Sequence, residues 1–524
     1  MAWRTGVAIL SLCVLLTVAL CAPALADDTA LGTLAGSVFP VASADIRLEA
    51  ETVQAMLHDG YAEFQVGFRF VNDGAQQTVD LGFPYLRYED EGDAQGTVPL
   101  GFQAWQEGEP LKVWSAPAAT MEGLAAWPGA QYTRYLVHTV TFAPGPTHIR
   151  IRYLAAPSVS AGRRFHQEAV PPELREGWVH WYEYFLHSGE LWKGPIGRAV
   201  VRFTMGEDFR GEGAMVTREL AAGWGEADEW QVTHPDGFTT PEAATLQWVF
   251  EDFEPGADPK VGEDDSGYFP YDIYLYYSDS APYPSEEYKG KSPFVSAVRA
   301  STGTVGEGGE NVPNAPDRAA DRSLWEAWVV DNGGGGRGEW LEFDLVYADE
   351  IKEVCIVGGD LSEPGSFQES ARPKTCLLTF SDGSSYTLEL ADEPGAQRFA
   401  VDARDVTSAR LEIVDSYPGT QSTALYLAEV QFTRRPAAEF DSFETLLATS
   451  PMAISSTTGT TAAATTTGST TTSSTVASTT VTVPGLQSPS LLQDRWFRSP
   501  VVWLVLGVAL LATLLGWLIV RKQG

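Results

Sequence analysis

Short runs of alternating apolar and polar residues, each stopped by Gly, Pro, Asp or Ser, constrain this chain more than any other feature. They recur from Ala44 to Phe432 and specify β-strands, because successive side chains of a strand point to opposite faces. The fold class expected is all-β: two antiparallel β-sandwich domains, then a disordered Thr/Ser-rich stalk and one C-terminal transmembrane helix.

In the first half, Ile46, Leu48 and Ala50 share one face, as do Phe64, Val66, Phe68 and Phe70 before the turn Asn72-Asp73-Gly74. Val79, Leu81 and Phe83 follow. Tyr135 to Thr141 pairs with His148 to Leu154 around Pro144-Gly145-Pro146, and Val200 to Thr204, Leu246 to Phe250 and Tyr271 to Tyr277 complete the set. The run Trp178 to Leu186 is dense in aromatics. Such a strand packs a sandwich core or presents a face for stacking sugars, and the core is the plainer reading. The chain shows no internal repeat.

The second half carries Gly338-Glu339-Trp340-Leu341-Glu342-Phe343-Asp344-Leu345, Arg372-Pro373-Lys374, Thr379-Phe380-Ser381-Asp382-Gly383, Tyr417-Pro418-Gly419-Thr420 and Leu427-Ala428-Glu429-Val430. In that order these motifs resemble the discoidin-type jelly roll of the coagulation factor V/VIII type C superfamily. The nearest resemblance is to the glycan-binding domain named after bacterial NAD-glycohydrolase toxins. It implies a galactose-binding-like fold that takes a glycan or another extracellular ligand at its loop tips, without catalysis. Gly189 to Gly197 and Trp248 to Pro255 are similar to an uncharacterised all-β domain of exported bacterial surface proteins, which implies no activity.

The boundaries expected are a signal peptide at 1–26, a β-sandwich domain at 27–278, a linker at 279–293 and the discoidin-like jelly roll at 294–433. A stalk at 434–497, a transmembrane helix at 498–520 and a tail at 521–524 follow. The signal peptide rests on Arg4, the apolar run Val7 to Leu20 and the small residues Ala24 and Ala26. Val501 to Val520 is free of charge and, at about 20 residues, long enough to span a bilayer. Ser455 to Thr482 is almost wholly Thr, Ser, Ala and Gly, which cannot bury a core. The localisation expected is the cell membrane, single-pass type I, with the ectodomain outside.

The formal net charge of −34, from 69 acidic and 35 basic residues, argues against nucleic acid and anionic lipid as partners. Two cysteines fall in the signal peptide. The remaining pair, Cys355 and Cys376, is expected to form a disulfide in an exported protein, with two buried thiols as the alternative.

No catalytic motif stands out: there is no Gly-x-Ser-x-Gly elbow, Cys-x-x-Cys pair or His-Glu-x-x-His helix. Gly333-x-Gly335-x-x-Gly338 has dinucleotide spacing, but it lies in a tetraglycine loop without the strand and helix that motif needs, and a flexible loop is expected there. The jelly-roll resemblance implies calcium beneath the binding loops. Asp321, Ala327, Trp328 and Glu429 match its pattern, whereas Arg322, Ser323 and Glu326 replace a Gly, an Asp and a Thr. Calcium prefers six to eight oxygens, so Glu326 would have to restore a ligand beside Asp321 and Glu429. Alternatively Asp321 caps a turn and Glu429 is a surface charge. Trp325, Arg337 and Tyr417 are the expected ligand-binding residues, supplying stacking faces and a guanidinium fork. Trp328 and Trp340 are expected in the core.

The function expected is extracellular carbohydrate or ligand recognition by a membrane-anchored bacterial surface protein. An extracellular enzyme with its catalytic part in the first domain, and a structural or partner-binding envelope protein, are the alternatives.

Overall fold

The structure is a computed structural model. It describes residues 39–40, 45–85, 99–117, 134–159, 178–209, 233–255 without 236 and 243, 270–279, 295–302, 315–346, and 350–449 without 364. The signal peptide, most of the linker, the Thr/Ser tract and the apolar run Val501 to Val520 lie outside the described residues. Among the described residues no helix is long and apolar enough to cross a membrane.

The described part is almost entirely β. In the first domain a seven-stranded sheet runs in the order Thr245–Phe253, Ile196–Met205, Ile46–Leu57, Ala62–Asn72, Gly145–Ala155, Leu100–Gln106, Glu109–Pro110. All neighbours are antiparallel except Ile196–Met205 beside Ile46–Leu57. A four-stranded sheet (Phe39–Pro40, Gln77–Tyr85, Arg134–Phe142, Val113–Pro117) and a three-stranded sheet (Ser158–Val159, Trp178–Tyr184, Ile273–Asp279) accompany it. Alternation decides the packing: Phe64, Val66, Phe68 and Phe70 join Leu81, Phe83, Tyr182 and Tyr277 in one core. Asn72 ends its strand by accepting the Gly74 N–H at 2.9 Å and donating to the carbonyls of Ala75 and Phe142. The aromatic run is core, since Tyr182 and Tyr184 are wholly buried and His180 stacks on Tyr277 at 5.3 Å.

The second domain is a sandwich of a five-stranded sheet (Val295–Ala300, Trp340–Leu345, Ser408–Tyr417, Arg372–Phe380, Ser385–Glu389) and a four-stranded sheet (Trp328–Val330, Leu425–Thr433, Glu350–Gly358, Ala396–Arg404). Trp328 is wholly buried in its core, as expected. Trp340 is not: Leu341, Phe343 and Leu345 take the inward positions, so Trp340 falls on the outer face, half-buried, with the Arg410 guanidinium 4.1 Å from its ring.

The expected disulfide is overturned, because Cys355 and Cys376 are both free and buried. Their strands belong to opposite sheets. Cys376 points into the sandwich with Leu378, whereas Val354 and Ile356 take the inward positions of the other strand and turn Cys355 outward. There its sulfur meets the Tyr61 hydroxyl of the first domain at 3.4 Å. Burial pushes both thiols up to about 12. Neither should react with a disulfide reagent in native protein, and both should titrate in denaturant, since the thiolate is the reactive form. A Cys355–Cys376 peptide in a non-reducing map would contradict this.

The folded body continues past 434, where a stalk was expected. Gln54 makes two 2.8 Å bonds to the Asp441 backbone, one to its carbonyl and one from its N–H, in the manner of a strand neighbour. Ser442 caps the short helix Phe443–Leu447 by accepting the Thr445 N–H at 3.1 Å. Phe443 fills a notch over Gly67, where a Cβ would lie 2.6 Å from the ring. Arg202 pairs with Asp441, Arg198 donates to the Thr449 carbonyl, and Leu446 is wholly buried. This strap covers the outer face of the seven-stranded sheet, which is why Ile46–Leu57 is buried at nearly every position.

Candidate functional site

The loop edge of the jelly roll is built on a shaped turn rather than the flexible loop expected. The Asn332 side-chain oxygen accepts the N–H groups of Gly334 and Gly336 at 2.8 and 3.2 Å, and its amide donates to Glu339 at 3.1 Å. Gly335 has φ +67°, and a Cβ there would meet the Ser416 hydroxyl at 2.5 Å, so only glycine fits. The Gly338 N–H then bonds the Ile413 carbonyl at 2.8 Å, which fixes Arg337 beside the end of the strand Ser408–Tyr417.

Arg337 pairs with Asp415 at 2.6 Å while its side chain stays 59% exposed. Lys374 reaches the other Asp415 oxygen at 2.9 Å and lies 5.8 Å from the Tyr417 ring. The hydrogen bond from Lys374, with Arg337 beside it, holds the Asp415 carboxyl below its usual range. Tyr417 donates its hydroxyl to the Leu390 carbonyl at 2.9 Å. Beneath it lies the buried Arg372, whose guanidinium contacts the Phe367 and Tyr417 rings and hydrogen-bonds Asp392, Gln368 and the carbonyls of Ser370 and Pro418. Arg372 therefore ties the loops together, while Arg337, Lys374 and Asp415 offer donors and an acceptor to solvent. Two of the three expected ligand residues, Arg337 and Tyr417, come together here. Lys374 and Asp415 were missed, although Lys374 stands in the Arg-Pro-Lys motif.

Trp325 lies elsewhere, partly buried against the hydrophobic cluster that carries the first-domain core together with Leu324, Leu361 and Phe367. The hairpin tip of the first domain is close by. Gly60, at φ +92°, abuts Arg322 so tightly that a Cβ would stand 2.0 Å from its carbonyl oxygen. Asp59 pairs with Arg322 at 3.3 Å and accepts the Gln431 amide on its carbonyl at 3.0 Å.

Of the residues expected to hold calcium, Asp321 and Glu326 both pair with Arg318, Asp321 at 3.0 Å. Glu429 is buried and accepts the Arg322 N–H at 3.2 Å. Burial, with Asp321 and Asp59 adding to it, raises the Glu429 pKa well above the carboxylate range. Burial also raises Asp321, to about 6 against the pull of Arg318. The cation beside these acids is thus an arginine of the chain. Among the described residues no group of three or more His, Cys, Asp or Glu is placed to hold a metal ion.

A second charged cluster fills the seam between the domains. His58 places Nδ1 3.2 Å from Asp208 and Nε2 3.1 Å from Glu63. Glu63 also pairs with Arg398 of the jelly roll, whose Nε lies 3.4 Å from Glu353. Burial pulls the His58 pKa down, but the charges and hydrogen bonds of Asp208 and Glu63 outweigh it and hold it at about 9. Burial likewise acts to raise Glu63, yet the His58 hydrogen bond and the Arg398 charge bring it down to about 2.

In the first domain His187 hydrogen-bonds Asp272 through both its ring and its backbone N–H, and burial lifts Glu183 to about 8. These three residues are at most 5% exposed. They form a buried cluster of the first domain.

Residues 288–433 match the family model of the NAD glycohydrolase translocation F5/8 type C domain. No curated protein matches the chain. Among solved structures, a Legionella pneumophila protein is 15% identical, with 47% of this chain and 71% of that one covered and a TM-score of 0.34. The family 32 carbohydrate-binding module of Streptococcus pneumoniae EndoD is 14% identical, covering 28% of this chain and all of the module, with a TM-score of 0.21. The family 32 module of C. perfringens NanJ, solved with galactose, is 11% identical, covering 27% and 97%, with a TM-score of 0.20.

Proposed function

We propose that, with an F5/8 type C domain at residues 288–433, this chain recognises a glycan at the loop edge of that domain. In this reading it does so outside the cell, held to the membrane by the run Val501 to Val520. The observation that supports the site is the open cluster of Arg337, Asp415 and Lys374 beside the Tyr417 ring. A sugar presents hydroxyls that both donate and accept, and charged partners on a rigid edge can meet several of them at once. The site is shallow, and hydroxyls exchange water for protein partners at small net gain, so affinities of roughly micromolar to millimolar are expected. The first domain acts as a scaffold: its titratable cluster at Glu183, His187 and Asp272 is enclosed, which favours a non-catalytic role.

The test is a glycan array followed by titration of the hits with full-length protein. Arg337→Ala and Lys374→Ala should each weaken binding several-fold, by about 1 kcal/mol, with the melting temperature little changed because the Arg337 side chain is largely exposed and that of Lys374 is half-exposed at the surface. Hits that bind both variants as tightly as the wild type would place the site elsewhere.

A further inference from the structure

The strap, residues 434–449, is held against the first domain in the way a peptide ligand is held. Gln54 meets its backbone at Asp441, donating to the carbonyl and accepting the N–H, both at 2.8 Å. That pair copies the hydrogen bonds of a neighbouring strand and so holds an extended segment. The Phe443 ring enters the notch over Gly67, edge-on to His148 at 5.9 Å and 5.6 Å from the Arg69 guanidinium. A Cβ on Gly67 would stand 2.6 Å from that ring and 2.9 Å from the Thr52 hydroxyl, so glycine is what opens the notch. Arginines take the acids: Arg202 pairs with Asp441, and Arg69 pairs with Glu444 at 3.3 Å. Arg198 closes the far end on the Thr449 carbonyl.

These groups project from one face of the seven-stranded sheet, since residues two apart on a strand share a side. Gln54 lies opposite Arg202, Thr52 lies opposite Gly67, and Ala50 lies between Arg69 and Arg198. The strap therefore runs against the direction of Ile46–Leu57 and meets a backbone clamp, an aromatic notch and a pair of arginines in succession. Glu49 and Glu251 also pair with Arg69 and Arg198, whereas Asp441 of the strap is the carboxylate that Arg202 meets among the described residues. A neutral sugar would leave Arg202 without that partner, and the Gln54 amide is matched to a peptide group.

Phe443 does not fill the notch. A cleft of about 360 Å³ stays open beside its ring, bounded by Gln65, Gly67, His148 and Arg150. That volume lies at the lower end of ligand sites and leaves room for a larger ring. Leu446 is the one buried side chain between Arg434 and Thr449, and the Glu444 side chain is 70% exposed. A segment held by one buried side chain and exposed ion pairs opens well below the free energy of global unfolding. We propose that this sheet face is a peptide-recognition site with the strap as its ligand in cis. In trans it takes an extended acidic segment of a partner protein, with a tryptophan in the notch that Phe443 only partly fills.

Fluorescence polarisation with the full-length protein tests this. The probes are a labelled peptide of the strap sequence, residues 438–449, and the same peptide carrying Phe443→Trp. A tethered segment competes at roughly millimolar effective concentration, so the wild-type protein should bind both peptides weakly. Phe443→Ala in the protein empties the notch and should tighten both about tenfold or more, with the tryptophan peptide the tighter of the two. Glu444→Gln in the protein loosens the strap at an exposed position and should tighten both several-fold. It decides alone if Phe443→Ala loses its melting transition. Adding Gly67→Ala to either variant should abolish binding while the melting transition is kept. A peptide carrying Asp441→Lys and Glu444→Lys should not bind. The proposal fails if neither peptide binds the loosened proteins at millimolar concentration, if those proteins bind no more tightly than the wild type, if the lysine peptide binds as well, or if the tryptophan peptide is the weaker. A concentration-dependent dimer of the loosened proteins that takes up no peptide would make a second copy the occupant and overturn the partner segment.

Discussion

Replacing Trp328 with Ala is expected to cost about 3–5 kcal/mol of stability, the usual toll for deleting a large buried aromatic side chain. Trp328 is wholly buried in the jelly-roll core and opens the three-residue strand paired with Leu425–Thr433. Its neighbours in the cluster come from both sheets, among them Leu341, Phe343, Leu425 and Leu427, so they cannot close the gap without shifting the sheets together. Urea unfolding followed by fluorescence would show the midpoint falling steeply. Trp340→Ala is the internal control. That ring lies half-buried on the outer face under Arg410, and its loss should cost no more than about 1 kcal/mol. Equal losses in the two variants would mean that the inward and outward faces of these strands are assigned wrongly. Trp325→Ala falls between them. Its ring packs at the seam, so it should loosen the contact between the domains rather than test a sugar site.

What the sequence made legible was local. The alternation of Phe64, Val66, Phe68 and Phe70 names a strand and its inner face without further information, and Asn72-Asp73-Gly74 names its end. The ordered motifs from Gly338 to Val430 were enough to place the jelly roll, because each marks a strand end or turn of that fold. The parity of Cys355 was not legible in the same way. Alternation assigns it the face opposite Val354 and Ile356, but nothing in the sequence says that this outer face is covered by another domain, which leaves Cys376 as the partner that the sequence suggests. The strap was hidden because Phe443 and Leu446 stand in a short tail without strand alternation, and only the notch at Gly67, far away in sequence, gives Phe443 a place. Asp208 lies 150 residues from His58, a separation at which no spacing rule operates. Asp321 and Glu326, two of the acids expected to hold calcium, share a cation of the chain. Their cation, Arg318, came from a stretch with no motif of its own.

The seam between the domains should lose stability as pH rises from about 6.5 to about 9, and His58 should be the reason. Its folded pKa of about 9 lies above the ordinary value of 6.5, so the folded state holds the proton more tightly. The resulting stabilisation is fully present below pH 6.5 and disappears as pH passes through the folded pKa. A shift of this size corresponds to about 3 kcal/mol. The groups facing His58 come from three directions. Asp208 lies beyond the strand Ile196–Met205, Glu63 is on the next strand of the same hairpin, and Arg398 is on the jelly roll, its nitrogen 2.9 Å from Nε2. An Arg nitrogen cannot accept the Nε2 proton, so Glu63 takes it. The Tyr61 ring stacks on the imidazole at 4.8 Å and helps keep water out. Glu63 has the opposite sense. Its folded pKa of about 2 gives stability present above pH 4.5 and lost as pH falls toward 2. Wild-type protein should therefore be most stable between these limits. Glu183, lifted to about 8 by burial, also erodes stability as pH rises, and that contribution is common to wild type and His58→Gln. The difference between the two proteins isolates His58. At pH 6 the variant leaves the buried Asp208 without its cation and should be less stable by about 3–5 kcal/mol. By pH 9.5 the wild-type imidazole has itself lost its proton, and the gap should shrink to about 1 kcal/mol, the worth of the remaining neutral hydrogen bond. Chemical unfolding of both proteins across this range measures the gap directly. A difference that stays constant from pH 6 to pH 9.5 would show that His58 is neutral in the folded protein and that Arg398 alone balances the carboxylates of the seam.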